Sequence, residues 1–204
     1  MKIKRLIVPF ILVAFYFSCS TKLAAVREDA VKPTVVTEQT LHDTDDPAIW
    51  INPSDASKSL VIGTDKDTDG ALYMYDLKGK IIKKSIPLLR PNNVDIAYGL
   101  LINGKKTDIA VTTERLTNKI RIFSLPDLEP IDNGGIEVFN GEEQRDPMGL
   151  ALYTRPSDKA FFAIFGMHMP RSTSTRCNQL ALSENLECFH LTAYQSIPVH
   201  IVSI

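Results

Sequence analysis

From Ala48 to Phe165 the chain runs in short apolar stretches, broken at steps of about a dozen residues by glycine, proline, asparagine or aspartate. No helical period interrupts them. The expected strands are Ala48 to Ile51, Leu60 to Ile62, Ala71 to Leu77, Ile81 to Leu88, Val94 to Leu101, Asp108 to Thr112, Lys119 to Phe123, Ile136 to Phe139, Met148 to Tyr153 and Ala160 to Phe165. Lys78-Gly79-Lys80, Asn103-Gly104 and Asn133-Gly134-Gly135 supply tight turns between them. Regular short strands with this punctuation predict an all-β fold, as a sandwich, barrel or propeller. The pattern alone does not choose among the three.

Both ends of the chain read differently. Lys2, Lys4 and Arg5 precede an apolar run from Leu6 to Phe17, then Ser18-Cys19-Ser20. That run, of about 12 residues, is shorter than the roughly 20 that span a bilayer and suits a secretory segment. Residues 1–19 are therefore expected to direct export. The cysteine after small Ser18 resembles a bacterial lipobox, which marks Cys19 for lipidation. Tyr16 and Phe17 depart from the usual leucine-rich pattern, and plain cleavage or an uncleaved anchor are the alternatives. Residues 20–38 lack a sustained period and read as a linker. Beyond Gly166 the alternation stops, so residues 167–204 are expected to form an irregular tail or to follow a frameshift. Cys177, Cys188, His190 and His200 match no zinc spacing.

The whole chain has 23 basic and 24 acidic residues, and without the signal segment 20 face 24. A mildly acidic domain excludes a general nucleic-acid binder, which presents a basic face. Four groups could carry chemistry. Asp43, Asp45 and Asp46 crowd carboxylates that repel one another unless they are exposed or hold a cation, and hard oxygens favour Ca²⁺. Asp65-Lys66-Asp67-Thr68-Asp69-Gly70 opens like a calcium-binding loop, but its flanks read as strands, so a polar hairpin loop is expected. Asn92, Asn93 and Asp95 place amide and carboxylate oxygens at a strand entrance, where a turn and an edge aspartate are the plainer reading. Arg115 could fork onto phosphate oxygens, with a surface ion pair at Glu114-Arg115 as its alternative.

Taken together, Asp45-Asp46-Pro47-Ala48-Ile49-Trp50, Asn92-Asn93-Val94-Asp95-Ile96 and Asn103-Gly104-Lys105-Lys106-Thr107-Asp108-Ile109-Ala110 resemble the β-propeller phytases in order and spacing. The resemblance runs over residues 39–166. It implies a six-bladed propeller that needs Ca²⁺ and hydrolyses phosphate from myo-inositol hexakisphosphate. It further implies that Asp45 and Asp46 hold Ca²⁺ with Asn93 and Asp95, that Lys66, Arg115 and Asn92 contact substrate phosphate, and that Asp45, Lys66 and Arg115 are catalytic. Phytate or its calcium salt would be the ligand and Cys19 a membrane anchor, on a monomer that binds no nucleic acid.

About ten strands supply only two to three four-stranded blades, so a partial propeller is expected. Where the family continues with lysine and acidic residues, this chain has Met167-His168-Met169. Two other functions fit the same residues: an exported Ca²⁺-stabilised β module that binds without catalysis, and a propeller lactonase or esterase.

Overall fold

The expected strands assemble as three antiparallel sheets in a computed structural model, which describes residues 27–142, 146–167 and 199–203. The signal segment, Cys19, Cys177 and Cys188 lie outside the described residues. Residues 27–34 belong to a separate unit, in which Arg27 pairs with Asp29 at 2.6 Å. The sheets belong to the unit Val35–Ile204.

The first sheet runs β1 (Thr44–Trp50), β2 (Leu60–Asp65), β3 (Ala71–Tyr75), β4 (Ile81–Lys84). The second runs β5 (Pro91–Ile102), β6 (Lys105–Glu114), β7 (Lys119–Leu125), β8 (Ile136–Glu137). The third places β10 (Phe161–Met167) between β9 (Pro147–Thr154) and β11 (Val199–Ser203). In each of the first two sheets the strands follow in chain order, joined by hairpins. β1 packs beside β5 and β5 beside β9, so the first strands of successive sheets stand next to one another. This is the arrangement of consecutive blades, and the fold is an all-β partial propeller.

All ten expected strands are present, and β11 is an eleventh. It lies in the stretch read as an irregular tail and pairs Val199 with Gly166 and Ser203 with Phe162. Alternation could not announce it, since a strand added at a sheet edge needs backbone pairing more than an apolar face. The linker also ends earlier than expected. Glu38 N–H donates to Gly79 O at 2.8 Å, and Ile81 N–H donates to the Glu38 carboxylate at 2.8 Å. Gly79, at φ +82°, permits this approach, since a Cβ there would meet Val36 O at 2.7 Å.

The core lies between sheets. Ile62, Leu72 and Met74 of the first sheet pack with Trp50 against Val94, Ala110, Phe123 and Leu128. The opposite face of the second sheet packs Ile109, Val111, Ile120 and Ile122 against Phe139, Phe161, Ala163 and Phe165. β6 and β7 therefore bury both faces, and Ile109, Ala110 and Val111 are all fully enclosed. Phe123→Ala is expected to destabilise the domain by about 3–5 kcal/mol. Ile49→Ala, at a site 58% exposed, should change stability by less than about 0.5 kcal/mol. Urea denaturation followed by circular dichroism compares the two.

Candidate functional site

β1 starts four residues earlier than the apolar run suggests, so Asp45 and Asp46 lie inside the strand and not in a turn before it. Partners on both sides keep that segment extended. The Asp46 N–H donates to Thr64 Oγ1 at 3.0 Å, and the Asp46 carboxylate accepts the Val94 N–H of β5 at 3.0 Å. Fully buried Thr64 donates onward to Asn92 O at 3.1 Å. Pro47 has no N–H to donate, and the β1–β2 register shifts between Thr44 and Pro47.

The start of β1, the end of β2, the start of β5, the end of β6 and the start of β9 share one rim, through their pairing within each sheet and through the contacts of Asp46 with Val94, Asn93 with Gly149 and Arg115 with Asp146 between sheets. Lys66 lies there with its Nζ 2.9 Å from Asp45 and 3.9 Å from Asp43. Arg115 pairs with Asp146 at 2.5 Å. The Arg115 side chain is only 10% exposed, and its Nε is buried without a hydrogen-bond partner. The plainer reading of an ion pair holds in part, since Arg115 does pair with a carboxylate, but with the partly exposed Asp146 and not with adjacent Glu114. Glu114 is itself buried, accepting from the Leu89 N–H at 2.7 Å and pairing with Arg121 at 3.4 Å. Burial and strand direction send these consecutive side chains to different partners, which adjacency in sequence does not reveal.

The remaining sequence-selected residues bridge sheets. Asn93 Oδ1 accepts the Gly149 N–H of β9 at 2.7 Å and also an amide hydrogen of Asn92. The Asp95 carboxylate accepts the Leu152 N–H at 2.7 Å. Asn92 is buried, and its own Oδ1 has no partner. The structure thus brings Asp45 to Lys66 and Asn92 to Asn93, and ties Asp46, Asn93 and Asp95 to neighbouring sheets. Among the described residues, no group of three or more His, Cys, Asp or Glu side chains stands close enough to hold a metal ion. The acidic loop closes a β2–β3 hairpin, as its strand-like flanks predict.

Sequence reasoning assigned no role to His42 or Asp146 and read Asp65 only as the opening of the acidic loop. The Asp65 side chain is fully buried and accepts from the N–H groups of His42 and Asp43 at 3.1 and 2.9 Å. It also meets His42 Nδ1 at 2.9 Å, while His42 Nε2 lies 3.3 Å from Asp69. This latch joins the loop before β1 to the loop after β2. The signal for Asp146 was legible: Asp146-Pro147 opens β9 as Asp46-Pro47 lies near the opening of β1. A separate cleft of about 530 Å³ opens at the other end of β1, lined in part by Trp50, Lys106, Asp108 and Pro126.

The sequence model of the family described as Phytase matches residues 6–163. The chain belongs to the phytase family. It is 31% identical over 128 residues to the 3-phytase of Bacillus subtilis (strain 168), covering 59% of this chain and 32% of that protein. The chain thus spans about a third of the length of this phytase relative. No helix among the described residues is long and apolar enough to cross a membrane.

Two outcomes follow for the site. Asp95→Ala leaves the Leu152 N–H without its acceptor, and is expected to cost about 1–3 kcal/mol in chemical denaturation. The hydrogen bond with Asp65 raises the His42 pKa above its ordinary 6.5, and the carboxylates of Asp65, Asp69 and Asp67 add to it. A raised value means that the folded state holds the proton more tightly than the unfolded chain does. The stability this contributes is complete below pH 6.5 and is lost as pH rises through the raised value. His42→Gln should remove that part of the pH dependence, measured as the denaturation midpoint from pH 5.5 to 8.5.

Proposed function

We propose that this chain carries part of the active centre of an exported, Ca²⁺-dependent phytase that hydrolyses phosphate monoesters of myo-inositol hexakisphosphate. The observation that carries the reading is the rim itself, where Lys66 lies against Asp45 and Arg115 against Asp146. Family membership supports the reaction class, because phosphoester hydrolysis is what the relative's printed name denotes.

The donor set suits a hard cation. Carboxylate and amide oxygens are the ligands Ca²⁺ prefers, and the partnerless Asn92 Oδ1 is an acceptor in need of a positive group. Asp45, Asp46, Asn93 and Asp95 would hold the metal. Bound there, Ca²⁺ would offset carboxylate repulsion and supply Lewis acidity toward a phosphoryl oxygen. Lys66 and Arg115 would grip substrate phosphate, Lys66 as a point charge and Arg115 as a planar fork. Asn92 would add a neutral contact beside them through the Nδ2 hydrogen that it does not donate to Asn93. Hydrolysis breaks the bond between phosphorus and the inositol oxygen, with water supplying the oxygen gained by phosphate.

Phytate or its calcium salt is the proposed ligand, bound by a monomer that does not take nucleic acid. Export and lipid anchoring at Cys19 belong to the same proposal, and the mass of the mature N-terminus checks them. The central test is phosphate release from phytate with Ca²⁺ present and after chelation. Release should require Ca²⁺, and Lys66→Met should lower kcat/KM roughly 100-fold, as expected for loss of a charged contact to the reacting group. Equal release in excess chelator would refute the metal role, and no release under any condition would refute the activity.

A further inference from the structure

Arg90 stands apart from the other basic residues of the rim. Its backbone is left-handed, at φ 61°, a region that costs a side-chain-bearing residue roughly 1–2 kcal/mol. Its Nε is buried without a hydrogen-bond partner, and its guanidinium makes no ion pair among the described residues. Lys66 and Arg115 each face a carboxylate. A strained backbone and a buried donor without an acceptor are both destabilising, and neither is offset by a hydrogen bond or ion pair of the side chain among the described residues.

The position of Arg90 connects it to the site. Its N–H donates to Asp67 O at 2.8 Å, in the loop that begins with Lys66. Its carbonyl accepts the Arg115 N–H at 3.1 Å. The residue therefore joins the backbones that carry Lys66 and Arg115, directly before Pro91 and the Asn92-Asn93 pair. The Arg90 charge acts on Asp67, whose carboxylate accepts hydrogen bonds from the N–H and hydroxyl of Thr68.

We propose that Arg90 is a third phosphate-binding cation of this rim, whose guanidinium takes a phosphate oxygen of a multiply phosphorylated ligand. The inference rests on the phosphatase reading of the site and extends it with a contact made by a residue outside the three recognised motifs. An arginine that makes no ion pair among the described residues offers its hydrogen-bonding fork without first breaking one. Together with Lys66 and Arg115 it favours ligands with several phosphates over ligands with one.

The test exploits the strain. Arg90→Gly removes the guanidinium and also relieves the left-handed backbone, so binding and stability should move in opposite directions. Calorimetric titration of the full chain with phytate in Ca²⁺ should show affinity roughly 10- to 100-fold weaker than wild type, the loss expected for a charged hydrogen bond. The melting temperature should be equal or higher. Arg90→Lys, which keeps the charge and the strain, should retain more affinity than the glycine variant. Wild-type affinity in Arg90→Gly overturns the inference while leaving the phosphatase reading in place. A loss of affinity accompanied by a lower melting temperature overturns it too, because Arg90 would then be structural. A wild-type chain that binds no phytate overturns both.

Discussion

The first strands of successive sheets approach one another without sharing a β-ladder, so some of their backbone N–H groups need acceptors from elsewhere. Side-chain oxygens provide them: Asp46 for Val94, Asn93 for Gly149 and Asp95 for Leu152. Apolar packing brings the sheets together, but it is non-directional and leaves their relative register loose. These polar contacts set it. The partly buried amides of Val94 and Leu152 would otherwise carry a desolvation cost, so their acceptors are demanded by the fold before any ligand is considered.

This dual use shapes the chemistry open to the rim. The Asp46 and Asp95 carboxylates keep lone pairs beyond the backbone N–H groups they accept, whereas Asn93 Oδ1 already accepts two hydrogen bonds. On the function proposed above, the two carboxylates would therefore also face a cation without changing conformation. The cations are prepared in different ways. Lys66 and Arg115 are compensated by Asp45 and Asp146, whereas Arg90 is held in place by its backbone. On the function proposed above, a ligand rich in phosphate would meet charges that are already oriented, which would lower the ordering cost of binding.

Much of the fold was legible because apolar runs and turn residues mark strands through local physics. Ten strands followed from this, including Ile81–Lys84 with its exposed lysine. Strand edges were less legible, since they depend on distant partners. The extension of β1 through Asp45 and Asp46 needs Thr64 and Val94, and β11 needs β10. For the site, the acidic, amide and basic motifs were visible as residue types. Their pairings were not, because Asp146 reaches Arg115 only through the placement of β9 beside β5. Arg90 gave no signal at all, as its left-handed backbone and vacant donor are properties of the folded chain.

Trp50 closes the far end of β1 from this chemistry. Its indole N–H donates to Asp108 across to the second sheet at 2.9 Å, and the same carboxylate accepts the Gly99 N–H at 2.9 Å. It is also the single tryptophan in the chain. Its emission is therefore a local optical report on the seam between the first and second sheets. An opening of that seam would shift the signal, whereas fraying confined to the third sheet would leave it nearly silent. The chain thus carries an intrinsic probe that separates loss of one blade contact from loss of the whole domain.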